Sequence, residues 1–101
     1  MKINFLKHKN QNCYIAQNGG RYLLKSYDSL IAVIDENNRL FFGPDWGYSS
    51  TTSNHLNFFL QSYFMGKIPL TKQEKQKEIK AGNITVLCPD SLKNIFCGNF
   101  Q

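Results

Sequence analysis

The stretch DWGYSSTTSNHLNFFL (residues 45–60) decides how the chain is read, because it sets the single tryptophan and one of two histidines around a run of hydroxyls. Ser49, Ser50, Thr51, Thr52 and Ser53 carry side-chain oxygens that accept hydrogen bonds from the unpaired N–H groups of a first helical turn. Leu56, Phe59, Leu60, Tyr63 and Phe64 then fall at i, i+3, i+4, i+7 and i+8, which is one face of a helix. The spacing predicts a helix over residues 53–65, stopped by Gly66. The hydroxyls are capping groups first, with room for a binding surface beside them.

Upstream, the pattern turns from helical to β. Residues 2–6 (KINFL) alternate Ile3 and Phe5, a weak strand signal, and residues 13–16 form a second short candidate. Asn18, Gly19 and Gly20 supply a turn. The strongest β signal lies beyond it. Leu30 to Ile34 is an unbroken apolar run with β-branched members, DENN offers a turn, and Leu40 to Phe42 resumes the run. This predicts a hairpin of residues 29–35 against 39–43, preceded by a strand at 22–27 that runs into it through a bulge at Asp28. Gly43 and Pro44 break the sheet.

Downstream, Pro69 opens a second helix, with Thr71 and Glu74 spaced as a capping box and Gly82 as its stop. Its only apolar members are Ile79 and Ala81, so it belongs on the surface, held by Ile68 and Leu70. Residues 84–87 read as a last strand. Cys88 and Pro89 end it, and Asp90 is placed to cap a short helical turn over residues 91–96 that packs Leu92, Ile95 and Phe96.

The totals allow one domain. A chain of 101 residues buries about two thirds of its unfolded surface, enough for one modest core. At 42% hydrophobic, with eight Phe and five Tyr, it is too apolar to remain disordered. The net charge of +5 permits attraction to phosphates or to an acidic partner. Residues 67–80 hold five lysines and two glutamates, a local excess of +3.

Catalytic and metal chemistry find little to work with. Cys13, Cys88 and Cys97 include no CxxC pair, and their odd number without a secretory signal points to reduced thiols in a cytosol. Neither His8 nor His55 sits in a context that implies an activated thiol, and no zinc spacing is present. NGGRY lacks the Lys-Ser/Thr ending of a phosphate loop. RLFFG (residues 39–43) is not an RNA-binding strand signature. Asp28, Asp35, Glu36 and Asp45 occupy turn positions where acidic residues are ordinary. No catalytic residue, metal site or cofactor is assigned.

The candidate partner-binding residues are Trp46, Tyr48 and His55, together with Lys67, Lys72, Lys75, Lys77 and Lys80. Trp46 and Tyr48 either fold back over the helix to close the core or stand out as interface anchors. His55 either packs against the preceding loop or touches the partner at an aromatic rim.

In KSYDSLIAVID followed by WGYSSTTSNHLNFFL the chain resembles a family of small proteins of bacteriophages and plasmids of low-GC bacteria. The matching residues are Ser26, Tyr27, Ser29, Ala32, Tyr48, Ser49, Thr51, Thr52, His55, Phe59 and Leu60. The resemblance implies a mobile-element accessory protein and carries no activity with it. By analogy with other short phage proteins, it suggests binding and blocking of a host machine.

The expectation is an α+β fold: one domain over residues 1–101, with an antiparallel sheet of about four strands on one amphipathic helix and a polar second helix at the edge. The expected function is non-enzymatic inhibition of a host defence machine, anti-CRISPR-like, in the host cytoplasm. The partner would be a host protein or ribonucleoprotein such as a CRISPR effector. The positive charge excludes DNA mimicry, so inhibition would cover a protein or guide-RNA surface. The alternative is a small basic nucleic-acid binder using the lysines. No stretch approaches the roughly 20 apolar residues of a membrane span.

Overall fold

A computed structural model describes residues 3–8 and 12–98. The chain is α+β, with a six-stranded sheet in the order β1-β2-β3-β4-β5-β6. The strands are β1 (Leu6–Lys7), β2 (Cys13–Asn18), β3 (Arg21–Ser26), β4 (Ser29–Ile34), β5 (Leu40–Phe42) and β6 (Ile84–Val86). Three helices accompany them: α1 (Ser50–Tyr63), α2 (Lys72–Lys80) and α3 (Pro89–Cys97). The expected four strands and two helices therefore become six and three among the described residues.

β1 to β5 form an antiparallel meander, because each is joined to the next by a connection short enough to fold back. β6 departs from the antiparallel expectation and runs parallel to β5, Leu40 against Ile84. A parallel partner needs a long crossover, and α1 and α2 supply it. The first strand starts at Leu6 rather than at residue 2, which lies outside the described residues.

The bulge predicted at Asp28 is found in β4 instead. Lys25 faces Leu30 and Leu24 faces Ala32, leaving Ile31 extra. The bulge turns Ile31 and Ala32 toward one face, where both join the α1 core, while Leu30 and Val33 face the other. Tyr27 and Asp28 make the two-residue turn between β3 and β4. Tyr27 takes φ 55°, a left-handed conformation that is unusual for a bulky side chain.

Both faces of the sheet are covered, which explains why β4 reads as an unbroken apolar run rather than an alternating one. α1 lays Leu56, Phe59 and Leu60, all fully buried, onto Leu24, Ala32, Ile34 and Phe42. Each such side chain contributes about 1.5–3 kcal/mol. α3 covers the opposite face with Leu92, Ile95 and Phe96 against Ala16, Leu23 and Val33. The last helical segment is thus a second core layer. Pro89 stands at its first position after Cys88, so Asp90 lies inside the helix and does not cap it.

Local chemistry fixes the helix ends. α1 begins three residues earlier than predicted, at Ser50, because Ser49 is the cap and its Oγ accepts from the Thr52 amide at 3.1 Å. Its far end is held by Asn38, whose side-chain amide donates to the Met65 carbonyl and accepts from the Met65 amide. In α2, Thr71 and Glu74 form the predicted capping box in both directions. No described helix is long and apolar enough to cross a membrane.

Candidate partner-binding site

At the β3–β4 end of the sheet, the turn and the N-terminus of α1 enclose a cleft of about 380 Å³, lined by Ser26, Tyr27, Asp28, Ser29, Ile31, Asp45, Tyr48 and Thr52. The β-turn raises Tyr27 on one side. The tight segment after Gly43 and Pro44, bridged by the Tyr48 amide to the Asp45 carbonyl, raises Tyr48 on the other. Tyr48 is 82% exposed and Tyr27 50% exposed, the only exposed aromatic side chains among the described residues.

The floor is polar and buried. Ser26 Oγ lies 2.8 Å from His55 Nδ1 and 3.4 Å from Thr52 Oγ1, and Ser49 Oγ donates to Thr52 Oγ1 at 3.2 Å. Ser26, Thr52 and His55 are all nearly inaccessible. This chain of four side chains links the end of β3 to the first turns of α1. Burial lowers the pKa of His55, with a smaller push from His8, and its ring lies 6.2 Å from that of Tyr27. Ser26 lines the cleft while His55 stands behind it, and both are nearly inaccessible. What the pair does is satisfy two buried polar groups that would otherwise cost about 1–3 kcal/mol each.

Asp28 and Asp45 line the cleft. Asp45 accepts from Ser29 Oγ at 3.3 Å. Among the described residues the ion pairs are Arg21–Glu36 and Arg39–Asp35, so neither cleft carboxylate has a cationic partner.

Of the residues singled out from the sequence, Tyr48 lines the cleft and His55 lies behind it against Ser26. Trp46 turns away, its ring 5.5 Å from Phe42 at the edge of the α1 core. None of the lysines lines the cleft, although Lys72 comes close to its 45–48 wall. Lys67 and Lys77 flank a shallow groove shared with Glu74 and Glu78. Lys72 and Lys80 are exposed, and the Lys72 side chain runs beside Gly47. Lys75 is buried: its ammonium donates to Asn57 Oδ1 and to the Leu70 carbonyl, both at 2.6 Å, tying α2 to α1. Its pKa falls because burial disfavours the charge.

Tyr27, Asp28 and Asp45 were not among the sequence candidates. The two aspartates looked like ordinary turn residues, and nothing in SYDS says that the turn closes over a helix N-terminus. The available signal was a tyrosine in a two-residue turn, a position that favours Gly or Asn.

Two thiols bracket the range of reactivity. Burial pushes Cys13 up to about 11. Cys88 is exposed, and hydrogen bonding to Ser91, whose Oγ is 3.2 Å away, lowers its pKa. Among the described residues no group of three or more His, Cys, Asp or Glu is placed to hold a metal ion.

A model of a family of unknown function (DUF8033) matches residues 1–81. The chain belongs to the DUF8033 family. The match spans β1 to β5, α1 and α2 and contains every residue of the cleft, whereas β6 and α3 lie beyond it. Ser26, Tyr27, Ser29, Tyr48 and Thr52 line the cleft, and Ser49 and His55 stand behind it in contact with Thr52 and Ser26. No curated protein and no solved structure matches the chain.

Proposed function

We propose that this DUF8033 protein is a non-enzymatic accessory protein of a mobile element that acts in the host cytoplasm by binding and inhibiting a defence ribonucleoprotein, with the Tyr27–Tyr48 cleft as its contact surface. One observation carries the reading: the only two exposed aromatic side chains among the described residues stand together on the rim of one cleft. Tyrosines are rigid, amphipathic anchors that dominate many interfaces.

A left-handed tyrosine adds to this. Such backbone strain persists where the surrounding structure over-determines it, and it gathers at binding and catalytic sites. The mobile-element half of the proposal rests on the resemblance to small phage and plasmid proteins, and on the +5 charge, which suits covering a protein or guide-RNA surface better than imitating DNA.

Nucleic-acid binding through α2 receives less support. Lys75 points inward, and Lys67 and Lys77 share their groove with two glutamates. The test is co-purification of the tagged protein with a CRISPR effector ribonucleoprotein from a low-GC bacterium, alongside its cleavage assay. Retention with slowed cleavage supports the proposal. No retention and unimpaired cleavage remove it. Salt-sensitive binding to naked RNA or DNA would transfer the function to the lysines.

A further inference from the structure

The cleft also specifies what chemistry enters it. We infer that it receives an arginine side chain of the protein partner, with the guanidinium held by Asp28 and Asp45 between the rings of Tyr27 and Tyr48. This rests on the proposal that the cleft is the contact surface and adds the identity of the group that fills it.

The argument is one of complementarity. In a chain of net charge +5, two aspartates, Asp28 and Asp45, line one cleft, and neither is in an ion pair among the described residues. Two unit negative charges outweigh the roughly half positive charge at the N-terminus of α1. The first turn of that helix is, moreover, already closed by Ser49. A cation is therefore preferred over an anion.

The aromatic rim then selects among cations. Tyrosine faces attract a cation through the ring quadrupole, and the planar guanidinium both stacks on rings and bonds carboxylates in a fork, which a lysine ammonium does not. Ser29 also lines the cleft, and its hydroxyl, which donates to Asp45, can accept in turn. At about 380 Å³ the cleft has room for a side-chain head group.

Titration of the full chain with N-acetyl-arginine amide, followed by amide ¹H–¹⁵N spectra, tests the inference. N-acetyl-citrulline amide, its neutral isostere, is the comparison. Saturable shifts confined to residues 26–29, 45–48 and 52 are expected with arginine. They should be absent with citrulline and weakened about tenfold or more by Asp28→Asn with Asp45→Asn. Asparagine keeps an acceptor for Ser29, so the fold is retained. Scattered or absent shifts, or equal shifts with citrulline, overturn the inference.

The effector capture assay separates this outcome from the broader proposal. If the double asparagine variant still captures the ribonucleoprotein while loss of the tyrosines abolishes capture, the arginine falls and the contact surface stands. If arginine amide seats in the cleft but no effector is retained, the subsite stands and the inhibitory function falls.

Discussion

Ser26 Oγ and His55 Nδ1 meet at 2.8 Å beneath the turn that carries Tyr27, and this buried contact joins the last residue of β3 to the second turn of α1. Its consequence is a dependence on pH. Burial lowers the folded-state pKa of His55 below its ordinary value of about 6.5. As pH falls through that value the unfolded chain takes up the proton first, so stability falls until the folded-state pKa is passed and then levels off. The ring meets Ser26 and Tyr27, neither of them an acid that would hold the imidazolium, and His8 opposes it.

Urea unfolding from neutral pH down to about 5 should show this slope in the native protein, and His55→Gln should remove it. Glu36 and Glu74 have pKa values lowered chiefly by the Arg21 and Thr71 hydrogen bonds, and their contributions disappear only at lower pH. An unchanged slope in the glutamine variant would contradict the assignment.

Lys75 is a tether between helices. Lys75→Met keeps the volume but strands Asn57 Oδ1 and the Leu70 carbonyl, at an expected cost of about 1–3 kcal/mol. Adding Asn57→Leu should recover part of it, since both side-chain partners are then apolar. The pH dependence has the opposite window to that of a salt-bridged lysine. With its folded pKa lowered, Lys75 is more readily neutralised when folded, so stability rises with pH toward about 10.4 in the native protein and not in Lys75→Met. Denaturation midpoints over alkaline pH check this.

Gly43 packs tightly against Leu30 and Leu92. Its amide donates to the Ile31 carbonyl at 2.7 Å, and a Cβ there would strike the Leu30 carbonyl oxygen and reach 3.0 Å from Leu92 Cδ1. Gly43→Ala should therefore destabilise by about 1–3 kcal/mol through overpacking. The companion Leu92→Ala relieves one of the two contacts and should couple to it in a double-mutant cycle. Strict additivity of the two substitutions would show that Leu92 is not the obstacle.

Much of the fold was legible because it rests on local rules. The i, i+3, i+4 spacing placed Leu56, Phe59 and Leu60 on the buried face of α1, and the Thr71–Glu74 spacing gave the capping box. Non-local features were less legible. The bulge at Ile31 and the parallel pairing of β6 depend on register across the sheet, which no short window contains. Asp90 as a cap predicts only a turn at the start of α3, whereas Pro89 at the first position permits the longer helix found. The site suffered most. Lys75 reads as one more surface lysine until α1 is docked, and the cleft exists only because a turn at residues 27–28 meets a loop at residues 45–48.

Tyr27 offers a way to separate function from folding. Asparagine tolerates the left-handed backbone far better than tyrosine. Tyr27→Asn should therefore hold or raise stability, by up to about 1 kcal/mol of relieved strain, while removing one ring from the cleft. Thermal unfolding reports the first effect. A large loss of stability would mean that the ring works as core against His55 rather than as a contact.

The most direct measurement is effector capture and cleavage with the double variant Tyr27→Asn with Tyr48→Ala. The expected result is a folded protein that no longer co-elutes with a CRISPR effector ribonucleoprotein the native chain retains, and no longer slows its cleavage. Equal capture and inhibition by the ringless variant, or none by the native chain, would contradict a contact surface built on these two tyrosines.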